Sequence, residues 1–275
     1  MEPVTVTRIP TSDVEILIAH EDLVVTRTRY AAEERGPDFH VHRKHADAFY
    51  VLDGAFTIAL RDGERVLEPG TFALVPPNVV HAFRNDGPGD MRFLNFHAPG
   101  TGFDRYLLEL RDAAPESRAA ISASFDQHPA PADGGLDPGS VLMSTGEYLA
   151  ECPSLNITLL ADDGQLGISH SWSAPGGPSP PAHLHRRHSE SFYVLEGEMT
   201  FTVDGLDVQA KAGSMVHVPP GVVHTFAFSD SAEVRFLDIH APSSGFGDFL
   251  RALHAARDEE ELSAARARFD QAPAP

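Results

Sequence analysis

A long stretch of this chain is written twice. His40, Asp47, Gly54, Gly70 and His81 recur as His183, Glu190, Gly197, Gly213 and His224, each 143 residues further on. The register persists into Arg92-Phe93-Leu94-Asn95-Phe96-His97-Ala98-Pro99, which returns as Arg235-Phe236-Leu237-Asp238-Ile239-His240-Ala241-Pro242. Phe125-Asp126-Gln127 returns as Phe269-Asp270-Gln271 after one inserted residue. A repeat this long restricts 275 residues to two similar units, each large enough to bury its own core. Residues 128–146 are rich in Pro and Gly and read as a linker, which predicts an N-terminal domain over 1–140 and a C-terminal domain over 141–275.

Within a unit the local pattern is that of short strands. Val14-Glu15-Ile16-Leu17-Ile18 and Leu23-Val24-Val25-Thr26 are β-rich, and Phe56, Ile58 and Leu60 alternate with Thr57 and Ala59 ahead of an Asp62-Gly63 turn. Thr71 to Val75 and Met91 to Phe96 read as further strands. The period then changes: Phe103, Tyr106, Leu107 and Leu110 are spaced for one face of a short helix, and Phe246, Phe249, Leu250 and Leu253 repeat that spacing. Two similar β-barrels or sandwiches, each closed by a helix, follow from this order.

Composition narrows the partners. A formal charge of −19 disfavours nucleic acid and anionic membranes. No stretch approaches the roughly 20 apolar residues of a membrane span, and Met1-Glu2-Pro3-Val4-Thr5 lacks the basic-then-apolar order of a signal segment. Cys152 is the only cysteine, so an intramolecular disulfide is excluded. The expectation is a cytoplasmic protein, monomeric or homodimeric, whose partner is a small molecule.

The chemistry sits in the repeated histidines. His40 and His42, like His183 and His185, are two apart on a strand and point to one face. Asp47 or Glu190 follows five residues after the second histidine, and His81 or His224 comes from a later strand. Three imidazoles and a carboxylate suit Zn, Fe, Ni or Cu, and the carboxylate extends the range towards Mn. One divalent transition metal per barrel is therefore expected, with two coordination positions left open on an octahedral ion. Asp47 is a methylene shorter than Glu190, so it either ligates after a backbone shift or steadies a neighbouring histidine. His45 and His188 read as solvated, and His97 and His240 as strand-end packing residues. Phe83 and Phe226 share the parity of the third histidine, so they either fill the core or line a substrate pocket.

These residues resemble the cupin superfamily, and within it the two-domain bicupins. Gly177, His183, His185, Glu190 and Gly197 satisfy the whole first cupin motif; Gly213, Pro219, Gly221 and His224 satisfy the second, with Phe228 where Asn is usual. The first copy matches at His40, His42, Gly54, Gly70, Pro76, His81 and Asn85, and departs at Glu34, Asp47 and Asn78. The resemblance implies an all-β chain of two tandem jelly-roll barrels, each with a metal in its mouth. It also implies a metal-dependent enzyme like quercetin dioxygenase, acting on an enolisable aromatic or polyketide-like molecule. Glu190 is the expected proton-transfer residue, and Phe83, Phe192, Phe226 and Phe228 are expected to line the substrate pocket. A zinc-dependent cyclase or isomerase, and a metal- or ligand-binding protein without turnover, are the alternatives.

Overall fold

The computed structural model describes residues 7–8, 13–132, 136, 138–152 and 154–275. The chain divides into two compact units, Met1–Thr145 and Gly146–Pro275. In the first, a seven-stranded antiparallel sheet has the order Thr7–Arg8, Val14–Ala19, Val24–Tyr30, Met91–Ala98, Ala46–Asp53, Phe72–Val75, Leu142–Ser144. A five-stranded sheet has the order His128–Pro129, His40–Val41, His81–Arg84, Phe56–Leu60, Gly63–Leu67. The second unit repeats this with six strands (Glu147–Cys152, Leu155–Asp162, Gly167–Ser173, Val234–Ala241, Ser189–Glu196, Met215–Val218) and five (Leu206–Lys211, Glu198–Val203, His224–Phe228, His183–His185, Gln271–Pro273). Both are jelly-roll barrels. Among the described residues no helix is long and apolar enough to cross a membrane.

Each core lies between its two sheets, because alternate residues of both point inward. Phe49, Phe56, Phe83 and Phe93 meet in the first barrel, with Phe49 and Phe56 centroids 4.9 Å apart. Phe192, Phe201, Phe228 and Phe236 do so in the second, with Phe192 and Phe201 also 4.9 Å apart. Burying each such side chain contributes about 1.5–3 kcal/mol. The departures from the motif have local reasons. Asn78 takes the left-handed backbone (φ 70°) that Gly221 takes in the other copy (φ 82°). Asn85 ties a loop, its Nδ2 donating to the carbonyls of Ala31 and Gly89 at 2.8 Å, whereas Phe228 joins the core.

The linker reading of 128–146 is corrected in part. His128–Pro129 pairs with His40–Val41, and Leu142–Ser144 pairs with Phe72–Leu74, so the first unit runs past residue 140. Residues 133–135 and 137 of that segment lie outside the described residues.

Each barrel is also followed by two helices rather than one: α1 (Phe103–Arg111) and α2 (Pro115–Ser124), then α3 (Phe246–Ala255) and α4 (Glu259–Arg268). α2 starts on Pro115, and α4 is capped by Asp258, whose carboxylate accepts from Glu261 N at 2.9 Å. Both are too rich in Ala, Ser and charge for an apolar period to reveal them. After them the chain returns to add its last strand beside the His-x-His strand.

The helix pairs seat differently. α1 has no buried side chain, while α3 buries Phe246 (1 % exposed) and Leu250 (4 %) against Leu159 and Phe269. Two glycines allow that approach. A Cβ on Gly167 would stand 2.8 Å from Phe246 Cβ, and one on Gly247 would stand 2.9 Å from Leu159 Cδ2. Val24 and Asp104 occupy these places in the first copy.

Candidate metal centres

In the first barrel, antiparallel pairing sets His40 opposite His81, and the period of two puts His42 on the same face as His40. Asp47 arrives from the facing sheet. The four offer ligand atoms within 4.8 Å of one another. Each ring is oriented from behind: Nδ1 donates to a backbone carbonyl, that of Asp38 for His40 (2.9 Å), Asp126 for His42 (3.0 Å) and Val79 for His81 (3.1 Å). A donating Nδ1 leaves Nε2 with its lone pair free, as a metal ligand requires. Nε2 of His42 and of His81 stand 3.3 and 3.2 Å from Asp47 Oδ2. Burial, then His81 and His42, push the His40 imidazole down to about 3, so it is neutral at ordinary pH. Burial opposes ionisation of Asp47, but His97, His42 and His81 outweigh it and hold the carboxyl well below its usual value.

The second barrel has the same frame. His183 pairs with His224, and His183, His185, Glu190 and His224 again fall within 4.8 Å. Nδ1 of His183 donates to Pro181 O (2.9 Å) and Nδ1 of His224 to Val222 O (3.0 Å). Glu190 Oε2 lies 2.9 Å from His185 Nε2 and 2.6 Å from His224 Nε2. Despite burial, the charge of His224 and hydrogen bonds from three histidines hold Glu190 well below its usual value. The Glu190 charge in turn raises His224 against burial.

Behind these groups the copies part company. His45 and His188 are both fully buried (0 % exposed), which corrects their reading as solvated, because the chain returning from the helices covers them. His97 and His240, each next to last in its strand as expected, are likewise buried and stand beside the site. In the first barrel Asp126 accepts from the N–H groups of Arg43 and Lys44 and from His45 Nδ1 (2.9 Å). His97 Nδ1 stands 2.9 Å from His45 Nε2, and Asn95 Nδ2 donates to Asp47 Oδ1. In the second barrel Asp270 still accepts from Arg186 N and Arg187 N at 2.8 Å, but it is 3.8 Å from His188 Nδ1. His185 Nδ1 and both ring nitrogens of His188 and His240 have no hydrogen-bond partner. Burial pushes His188 down to about 2 and His240 to about 3. The inserted residue before Asp270 is the sequence difference that accompanies this loosening. The sequence reading missed Asp126, Asn95 and Asp238; their recurrence in the repeat was the available signal.

The cupin domain family matches residues 26–97 and again 173–240, half of the chain. The chain is a bicupin. It is 28% identical over 247 residues to quercetin 2,3-dioxygenase of Bacillus subtilis (strain 168), covering 78% of this chain and 72% of that one. AerE from Microcystis aeruginosa shares the fold at a TM-score of 0.60 and 14% identity, over 87% of this chain and 97% of that one. The oxalate decarboxylase of Bacillus subtilis, described with Mn(II) centres, does so at 0.55 and 19%, over 80% of this chain and 69% of that one.

In this bicupin the first site opens onto a cavity of ligand size. About 570 Å³ of space in the first barrel touches His40, Asp47 and His97, and is walled by Tyr30, Phe83, Phe93, Phe103, Tyr106 and Leu107. Phe103, Tyr106, Leu107 and Leu110 of α1 form one side of that wall. Phe83 therefore lines a cavity. Phe192 and Phe228 are buried in the core of the second barrel and fill space that the sequence reading had assigned to substrate, while Phe226 packs against them half-buried. Over the second site, Phe246 and Leu250 of α3 are buried where Phe103 and Leu107 line the cavity. His183 is 4 % exposed, while His40 is half-buried at the cavity floor.

Proposed function

We propose that this bicupin is a metal-dependent enzyme, a dioxygenase of an enolisable aromatic or polyketide-like small molecule, with substrate bound in the N-terminal barrel. The observation that carries this reading is the aromatic-walled cavity of about 570 Å³ ending on His40 and Asp47. Its size and its apolar wall suit a fused or substituted aromatic better than a small dianion such as oxalate. The similarity to quercetin 2,3-dioxygenase points the same way.

The residues fit a divalent ion: three imidazoles with Nε2 forward and one ionised carboxylate. His40, His42, His81 and Asp47 would hold it in the first barrel, and His183, His185, His224 and Glu190 in the second. Such an ion supplies Lewis acidity and a template for the substrate's oxygens. Asp47 Oδ1 already receives the Asn95 N–H, and Asp47 stands at the cavity floor, so it is the group able to take the enol proton of a bound substrate. That moves the expected proton transfer from Glu190 to Asp47. Tyr30, Phe83 and Phe103 would hold the ring system against the site and exclude water.

The test is oxygen uptake on a panel of flavonol-like and polyketide-like enols, after metal-free protein has been loaded separately with Fe(II), Mn(II), Ni(II), Cu(II) and Zn(II). Uptake with a redox-active ion, lost in Asp47→Asn, is the expected result. Turnover without oxygen consumption would replace the dioxygenase by a cyclase or isomerase. Tight ligand binding without turnover would make the chain a binding protein.

A further inference from the structure

Asn95 and Asp238 occupy the same place in the repeat, and the exchange changes what the site behind the carboxylate can do. In the first barrel Asn95 satisfies its neighbours: Nδ2 donates to Asp47 Oδ1 and to Ala48 O (3.1 Å), and Oδ1 stands 3.0 Å from His97 Nε2. In the second barrel an amide N–H is replaced by a carboxylate oxygen facing another buried carboxylate. Glu190, Asp238 and His240 bring three ligand atoms within 4.8 Å of one another. His240 Nε2 is 3.2 Å from Asp238 Oδ1 and 3.7 Å from Glu190 Oε1. Yet Asp238 Oδ1 and both His240 nitrogens lack any hydrogen-bond partner. This convergence is close to that of ligands set about 2.1 Å from one shared ion, which stand about 3.0–3.6 Å apart.

We infer that the C-terminal barrel holds a second divalent transition-metal ion, bound by Glu190, Asp238 and His240, with Glu190 bridging it to the ion of the His183, His185 and His224 site. Glu190 has one oxygen for each. Oε2 faces His185 and His224, and Oε1 faces His240. A second cation also balances the two adjoining carboxylates, where the first barrel uses an amide. Two carboxylates and one imidazole suit Mn(II), Fe(II) or Zn(II). His240 rests 4.0 Å from the Phe246 ring, which keeps that side dry and its Nε2 aimed at the carboxylates. In the first barrel the Asn95 N–H faces Asp47 Oδ1 where the second barrel sets a carboxylate oxygen, and no such group of three is found there among the described residues.

The inference rests on the reading that the His183 site holds a metal, and the experiment separates the two. Full-length protein is stripped, reloaded with Mn(II) alone, desalted, and counted by elemental analysis with an EPR spectrum of each sample. Wild type is expected to hold about three ions per chain, two of them spin-coupled at the roughly 3.5–4 Å separation of paired metal sites. Asp238→Asn, which copies Asn95, is expected to hold two with the coupling gone. His240→Gln is the second variant, and a thermal melt of each metal-free protein reports folding. Wild type holding two uncoupled ions, with Asp238→Asn unchanged and His185→Ala losing one, overturns the bridged pair and leaves the His183 site standing. A count of one that His185→Ala does not lower overturns both.

Discussion

Asp47 and Glu190 head two copies of one design, and the copies differ in opposite directions at front and back. Around Asp47 the supporting groups are closed into a network by Asp126 and Asn95, while the front opens through half-buried His40 into the space under α1. Around Glu190 the helix α3 is seated with Phe246 and Leu250 buried, and the back holds histidine nitrogens without partners. Equal ligand sets thus serve unequal purposes. The ligands decide which ion a barrel can hold; helix seating decides what else can reach it.

The largest effect that could break this comparison is on turnover. His42→Ala and His185→Ala are each expected to lower the metal content of their own barrel, but His42→Ala should cost at least about 100-fold in kcat/KM and His185→Ala less than about tenfold. Steady-state kinetics beside elemental analysis checks this, and the reverse ranking would return the chemistry to Glu190. Next comes the support behind the ligands. Asp126→Ala frees the Arg43–His45 turn and should weaken metal binding in the first barrel by about 10–100-fold. Asp270→Ala should do less in the second, where His188 is already unheld; competition with a chromogenic chelator measures both.

Cavity access comes third. Leu107→Trp should lower kcat/KM about tenfold with metal content unchanged, because it fills the space under α1. Leu250→Trp should instead destabilise the protein by about 1–3 kcal/mol with little change in KM, since that site is already packed. The smallest effect is on acid stability. His40, His188 and His240 are held to about 3, 2 and 3 in the folded chain. The unfolded chain, near 6.5, binds more protons between those values, so stability is complete above about pH 6.5 and is lost as pH falls towards 3. The lowered Asp47 and Glu190 act in the same sense. Burial holds His97 low as well, so each site carries two such histidines, and both units of the metal-free protein should melt about 5 °C or more lower at pH 5 than at pH 7.

Much of this was legible in the sequence. Strand alternation and a constant offset determine that two barrels form, that His40 and His42 share a face with His81 in register, and that eight candidate ligands fall into two groups. Such features depend on neighbours a few residues apart, or on a repeat that doubles the signal. Asp126 lies 83 residues from the Arg43 N–H that it accepts, and reaches it only because α1 and α2 turn the chain back. Only the tertiary structure could decide that His45 and His188 are buried, that Phe192 and Phe228 are core, and that a cavity lies beneath α1. Periodicity sets which face a residue takes. How closely a helix then settles on a sheet is set by contacts such as Gly167 with Phe246, and that spacing determines whether substrate has room.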